Sequence, residues 1–451
     1  MKINKKISES NTPGLNSFHG FPPLRNGNLW RDSPLEIHHK PWYDTNWKGG
    51  DASLKKQVRP WLLGLLIFFI LSAGQFVYRN REMILDEWNT GRDIDIYEKL
   101  EDGLTSQEDK IFVQRYHLTE SELNAVWNDL LCSHPEIFYV SDTYQYVTVG
   151  LHVQYVLPSY EYTGKELKQA KKLFKKEIKA ITSQVDSDWT DLEKALFLHD
   201  YLATHYAYDE TLKLSNAYEM LTEKSGVCQA YMLTYQALLQ QVGVPCTYVI
   251  SKDMEHSWNL VQIDGEWYHV DLTYDDPTFD RLGKAEHNYF LVSDEKLAAD
   301  HSDWTAAHEC TSTKYDTGAV WENVKSGFVP IDGAFYYLDG NHICRWNDGK
   351  KVKKLYSINS HWYLSGQKHV YWDGCYASLD TDGKVLLFNT ARTVRQWDPA
   401  TRKAKSLQKY KGDGNLYGMI YQPEEKAVLC QVSDSPNDPG TKELIALNKT
   451  K

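Results

Sequence analysis

Cys228, His256 and Asp271 follow one another in the chain order of a thiol acyl-transfer triad. In such a triad the cysteine attacks a carbonyl carbon, the histidine takes up and returns a proton, and the aspartate orients the imidazole. Whether these three can meet depends on the elements that carry them. Cys228 lies in SGVCQAYMLTYQALLQQVGVPC, where Val227, Tyr231, Leu238 and Val242 recur at helical spacing and Ala230, Leu233 and Ala237 fill the adjoining face. Ser225 is a good N-cap, and Gly243 followed by Pro245 ends the run. Cys228 is then expected in the first helical turn, beside unpaired backbone N–H groups and the positive end of the helix dipole. That setting favours thiolate over thiol and offers donors for an oxyanion. A cysteine in an apolar helix is more often a small core residue, so the helix alone does not assign its role.

His256 and Asp271 fall on the two arms of HSWNLVQIDGEWYHVDLT, with Asp264-Gly265 as a two-residue hairpin turn. Ile263 then faces Glu266, Trp258 faces Asp271 and His256 faces Thr273. Alternation places His256, Trp258, Asp271 and Thr273 on one face, with His256 and Asp271 diagonal neighbours roughly 7–8 Å apart at the backbone. A three-residue loop with a bulge would break this parity. Trp258 is expected to wall the substrate site. His269 reads as a packed or partly exposed histidine, Cys246 as a core residue opening the strand CTYVI, and Asp275 and Asp276 as a turn before Pro277. A metal held by Cys228, His256 and Asp271 is the alternative, but no close CxxC or HxxxH spacing supports it, and no cofactor is expected.

The stretch from about Asp191 to Pro277 resembles the transglutaminase-like superfamily, in its bacterial cysteine-protease-like branch. The matching pieces are HDYL at 199–202, GVCQAY at 226–231, GVPC at 243–246, HSWN at 256–259 and DLTYDDP at 271–277. The resemblance implies a papain-like fold, in which a helix carrying the cysteine packs on a sheet carrying histidine and aspartate. It also implies Cys228 as nucleophile, His256 as general base and Asp271 as orienting acid. It does not imply a substrate, because relatives include cross-linkers, peptidases, amidases and inactive members.

A second signal is WLLGLLIFFILSAGQFVY, from Trp61 to Tyr78. About 18 nearly uncharged residues at ~1.5 Å each give ~27 Å, close to a bilayer core. Lys48, Lys55, Lys56 and Arg59 precede the run, and Arg79, Arg81 and Arg92 follow it, so the positive bias is slight and favours a cytoplasmic N-terminus. A signal peptide fits less well, since some sixty polar residues come first and no A-x-A site follows. A buried core helix is the remaining alternative. The expectation is a single-pass cell-membrane protein with its large C-terminal part extracellular.

Net charge is −11 over 451 residues, which argues against a nucleic-acid partner. The seven cysteines show no paired spacing of the kind a disulfide scaffold would have. Residues 1–59 lack apolar periodicity and read as a disordered cytoplasmic tail, and 60–79 as the transmembrane helix. Residues 85–184 read as a small α/β region. Its helix GKELKQAKKLFKKEIKAI turns Leu167, Ala170, Phe174, Ile178 and Ile181 inward and Lys165, Lys168, Lys172, Lys175, Lys176 and Lys179 outward. Those lysines form a solvated face or a contact for an anionic envelope polymer or lipid headgroups. Residues 185–316 are the expected catalytic domain. A capping box at Thr190 and Glu193 opens its first helix, which carries His199, read as a satisfied helical histidine.

From 320 to 451 short aromatic-rich strands alternate with turns. GAFYYLDGNHICRWNDGKKVKKLY, GKVLLFNTARTVRQWDPATRKAKSL and a weaker NLYGMIYQPEEKAVLCQV suggest a partial propeller-like β-repeat, too short to close. The fold class is therefore α+β: a papain-like core between a small α/β region and an all-β module, behind one membrane helix. Two functions follow. One is a surface thiol enzyme acting on a protein or peptide amide. The other is a noncatalytic module binding envelope or matrix polymers.

Overall fold

The computed structural model describes residues 3–8, 95–276, 280–347, 352–364 and 370–447. The apolar run Trp61–Tyr78 lies outside these residues, as does the expected tail apart from 3–8. Among the described residues no helix is long and apolar enough to cross a membrane.

The first layer is a four-stranded antiparallel sheet in the order β1-β3-β4-β2, made of β1 (Ile3–Ser8), β2 (Ile111–Phe112), β3 (Val140–Val149) and β4 (His152–Tyr160). Helix α1 spans 95–105, and α2 (Glu120–Ser133) opens on a capping box between Thr119 and Glu122. β1 pairs with β3 from Ile3 opposite Val149 to Ser8 opposite Tyr144.

Helix α3 (Gly164–Thr182) buries Leu167, Ala170, Phe174, Ile178 and Ile181, the stripe its 3.6-residue period dictates. All six lysines of its outer face are exposed. Helix α4 (Asp191–His205) starts at the Thr190–Glu193 capping box. A short parallel pair, β5 (Ala207–Tyr208) with β6 (Ser225–Gly226), brackets α5 (Ala217–Glu223) and leads into α6 (Cys228–Val242). Gly243, in the left-handed conformation, caps α6 at its C-terminus.

Helix α6 packs on a five-stranded antiparallel sheet of order β10-β9-β8-β7-β11. Its strands are β7 (Cys246–Ser251), β8 (His256–Ile263), β9 (Glu266–Val270), β10 (Phe290–Val292) and β11 (Trp304–Ala306), with short helices α7 (Leu272–Asp275) and α8 (Asp294–Leu297) flanking β10. The β8–β9 register is the one the turn demands, with Ile263 opposite Glu266 and Asn259 opposite Val270. Asp264 and Gly265 both take positive φ, as a type I′ turn requires.

Beyond Trp321 the chain forms successive antiparallel meanders. The first is β12 (Val329–Ile331), β13 (Ala334–Asp339), β14 (His342–Trp346) and β15 (Lys353–Ser357). A small pair follows, β16 (Trp362–Tyr363) with β17 (Tyr371–Trp372). The second meander is β18 (Leu379–Thr381), β19 (Leu386–Asn389), β20 (Thr393–Asp398) and β21 (Lys403–Lys409). The third is β22 (Asn415–Gln422), β23 (Ala427–Ser433) and β24 (Thr441–Ala446). The three expected repeat units fall on these three meanders. Among the described residues the sheets close into neither a barrel nor a propeller; β12 packs on β18, and β18 and β19 pack on β22.

One apolar cluster runs from Ile96 to Trp346 and includes Phe290, Trp321, Phe328, Phe335 and Tyr337. It crosses the expected boundary at 316–320, so the first meander shares a core with the cysteine-bearing helix. Further contacts tie the β-module down. Gln431 Nε2 donates to Asp280 O at 3.0 Å, and Lys284 Nζ donates to Ala377 O. A Cβ on Gly418 would lie 2.3 Å from Leu282 O, so only glycine allows that strand to lie against the 280–284 loop.

Candidate active site

The position of Cys228 is set by the backbone just before it. Ser225 is not the cap of α6; it belongs to β6, and its hydroxyl donates to Ala207 O at 2.9 Å. The cap is Val227, which has no capping side chain. Pairing of β6 with β5 pulls the chain straight through 225–226, and the helix starts two residues later than a serine cap would start it. Gly226 makes the tight entry possible, since a Cβ there would lie 2.6 Å from Ala230 Cβ. Cys228 is thus the first helical residue. The N–H groups of Cys228, Gln229 and Ala230 precede the first bond back into the turn, Tyr231 N to Val227 O at 3.0 Å.

His256 opens β8, and Asp271 caps α7 just past the end of β9. His256 Nε2 lies 2.5 Å from Asp271 Oδ2. Tyr274 N donates to Asp271 Oδ1 at 3.1 Å, and Asp271 N donates to Tyr289 O at 3.1 Å. With Nε2 occupied by Asp271, Nδ1 is the nitrogen left for Cys228. Thr273 does not face His256, because the strand ends at Val270 and the chain turns into α7.

The charges are coupled. Burial pushes the Cys228 thiol up, but the hydrogen bond and charge of His256, with further donors from Ser257, bring it below its ordinary value. Burial pushes His256 down, while the charge and hydrogen bond of Asp271, helped by Cys228, raise it to about 10. Burial would raise Asp271, yet His256, His301 and Tyr274 N hold it at about 2. The arrangement favours a thiolate, an imidazolium and a carboxylate in line. All seven cysteines are free thiols. Cys246, at the start of β7, is pushed by burial up to about 12 and stays protonated.

Trp258 does not wall a substrate site. It is 1 % exposed, stacks on His256 with ring centroids 5.4 Å apart, and its Nε1 donates to His269 Nδ1 at 2.9 Å. The parity that puts it on the His256 face turns it into the interior behind the imidazole. The exposed rings near the thiol are Tyr274, centred 4.9 Å from His256, and Tyr208, whose strand pairs with Gly226.

His269 is packed, with Nε2 2.8 Å from Asp294 Oδ1. Asp275 and Asp276 are not a surface turn. Asp275 is buried with its Oδ2 3.3 Å from His199 Nε2, and Asp276 accepts the Tyr231 hydroxyl. His199 Nδ1 lies 2.8 Å from Asp200 Oδ1, which also meets His287 Nε2 at 2.9 Å. Asp200 Oδ2 accepts Phe328 N at 2.6 Å, tying this buried cluster to the β-module. Burial lowers His199, but the two aspartates raise it to about 9. His301, missed in the sequence, lies 3.0 Å from Asp271 Oδ2 through Nε2. It stands 30 residues beyond Asp271 in the chain, with no local pattern to betray it.

Among the described residues, three groups bring ligand-type atoms within 4.8 Å of one another: His199, Asp200 and His287; His256, Asp271 and His301; and His269, Asp294 and Cys310. In each, a histidine nitrogen faces a carboxylate oxygen at hydrogen-bond distance. A cavity of about 660 Å³ opens between α4 and the β-module, lined by Tyr201, His205, Asp380 and Tyr421 but not by Cys228.

Residues 179–272 match the family model of the transglutaminase-like superfamily. The solved structure of a candidate cysteine protease from Cytophaga hutchinsonii is similar at 20% identity and a TM-score of 0.20, over 30% of this chain and 46% of that one. A solved TGase is similar at 15% identity and a TM-score of 0.23, over 43% of this chain and 51% of that one. The matched part therefore spans about half the length of each of these proteins. A comparison with curated proteins finds no match. Cys228, His256 and Asp271 all lie within the stretch that matches the transglutaminase-like superfamily model.

Proposed function

We propose that Cys228, His256 and Asp271 form the triad of a thiol enzyme acting on amide bonds of a protein or peptide. The observation that carries this reading is the buried His256–Asp271 pair beside a lowered thiol at a helix N-terminus. The Cys228 thiolate attacks the amide carbon, and the C=O electron pair moves onto oxygen. N–H groups of the first turn of α6 face that developing oxyanion. The His256 imidazolium then donates its proton to the leaving nitrogen, and the C–N bond breaks to leave a thioester on Cys228. Neutral His256 takes a proton from the second nucleophile as it attacks the thioester. An amine completes transfer and water completes hydrolysis; either way the thiolate leaves and His256 is again protonated.

Asp271 keeps the imidazole aimed and stabilises its charged form. Tyr208 and Tyr274 are placed to receive an apolar group beside the reacting amide. The expected membrane anchor and extracellular location are part of the same proposal, with the exposed lysine face of α3 directed at an anionic polymer. The test incubates the protein with a glutamine-rich acceptor protein plus an amine probe, and separately with peptide amides. Label transfer or peptide cleavage, abolished in Cys228→Ser, supports the reading. Neither reaction from a folded protein would leave the noncatalytic binding module as the better account.

A further inference from the structure

Asp271 does not serve His256 alone. His301 Nε2 lies 3.0 Å from the same oxygen, Oδ2, and His301 Nδ1 lies 2.7 Å from Asp300 Oδ1. The side chains of His301 and Asp271 are both fully buried, whereas that of Asp300 is half exposed. Tyr289 OH donates to the other Asp300 oxygen at 2.5 Å. The rings of Tyr274 and Tyr289 cover His301 at 4.7 and 5.2 Å, and the Trp258 ring meets it edge-on at 5.1 Å. Both ring nitrogens of His301 thus face carboxylate oxygens, and a carboxylate oxygen only accepts.

The two oxygens of Asp271 are held differently. Oδ1 is fixed by Tyr274 N, a backbone donor that the start of α7 supplies regardless of any histidine. Oδ2, the oxygen that faces the catalytic imidazole, has two histidines as its partners. We propose that His301 is a positioning residue of this site: it holds Asp271 Oδ2 on the line to His256 and, through it, sustains the Cys228–His256 ion pair. His301 meets neither substrate nor sulfur; it acts through Asp271. It also lies outside the 179–272 family match, so the residue comes from the continuation of the chain that folds back over the triad. The titratable groups that face it are Asp271 and Tyr274 from α7 and its cap, His256 from β8, His269 from β9, Tyr289 before β10 and Asp300 after α8.

This inference rests on the triad reading, and one experiment separates the two. The rate of Cys228 alkylation by iodoacetamide is followed against pH in the full chain. Wild type, His256→Ala, His301→Gln and His301→Phe are compared, with circular dichroism confirming fold. Wild type should alkylate well below the pH at which an ordinary thiol ionises, and His256→Ala should lose that early limb. If wild type reacts only as an ordinary thiol, the triad reading fails and this inference with it. Given the early limb, His301→Phe should move it upward by about one pH unit, because Asp271 is then less firmly set against the imidazole. His301→Gln, which can still donate to Asp271, should recover most of the shift. Should the phenylalanine variant not fold, His301→Asn, too short to reach Asp271, replaces it. Folded variants that keep the wild-type limb would overturn the role of His301 and leave the triad standing. An equal shift in the glutamine and phenylalanine variants would assign the effect to packing and overturn it as well.

Discussion

His256 Nε2 and Asp271 Oδ2 lie 2.5 Å apart because a hairpin brings them there. Asp264 and Gly265 turn the chain in two residues, and the ladder runs back in register to Asn259 opposite Val270. His256 begins one strand and Asp271 follows the end of the other, so the pair is positioned by backbone hydrogen bonds rather than by a flexible loop.

That dependence is testable at the acid. Asp271→Asn keeps the side-chain shape but removes the charge that supports the imidazolium. We expect Cys228 reactivity near neutral pH to fall on the order of 100-fold, with little change in fold. Alkylation kinetics with circular dichroism check this. An unchanged rate would mean that Asp271 does not govern His256.

The buried cluster around His199 predicts a pH-dependent stability. The folded value of His199 is raised to about 9, so its contribution is fully present below its unfolded value and lost as pH rises through about 9. His256, raised to about 10, adds a loss of the same sign over a slightly higher window. Thermal melting should therefore drop between about pH 7 and pH 10. His199→Gln should lower stability at neutral pH and flatten that slope. A melting temperature that does not fall in wild type over this range would contradict the charged cluster.

Removal of the β-module should not be neutral. A chain cut after Asp316 loses Phe328, Phe335, Tyr337 and Trp346 from the core shared with α4 and α6. Each such side chain contributes about 1.5–3 kcal/mol by burial, a large part of a domain's net stability. The cut also strips the Phe328 N–H from Asp200. The shortened chain should be unfolded by circular dichroism, with Cys228 no more reactive than Cys246. A folded, reactive product would show that the domain stands alone.

Topology can be decided on cells. A membrane helix at Trp61–Tyr78 with the domain outside predicts that added protease cuts after Arg79 and spares the first sixty residues. Full-length protein in the soluble fraction of lysed cells would rule the anchor out.

Much of the local framework around Cys228, His256 and Asp271 is legible in the sequence because local rules set it. The DG turn fixed the hairpin parity, the apolar period fixed α6, and the capping box at Thr190 fixed the start of α4. The three C-terminal meanders were visible from their turn tokens. What escaped was tertiary. Ser225 looked like a cap until β5, 18 residues earlier, drew it into a strand. Trp258 shares a face with His256, but parity says nothing about whether that face meets water or core. Asp275, Asp200 and His287 are three polar residues whose partners come from different elements, and the reach of the core past Trp321 follows from sheet packing.

Under the proposed mechanism, Cys228 is an activated thiol made so by His256. Its most direct test is peptide-level mass spectrometry of iodoacetamide labelling at pH 6–7, comparing Cys228 with Cys246 in wild type and His256→Ala. Cys228 should label at least about tenfold faster than Cys246 in wild type, and the advantage should disappear in His256→Ala. Equal labelling of the two cysteines in the wild-type protein, unaltered by His256→Ala, would contradict it.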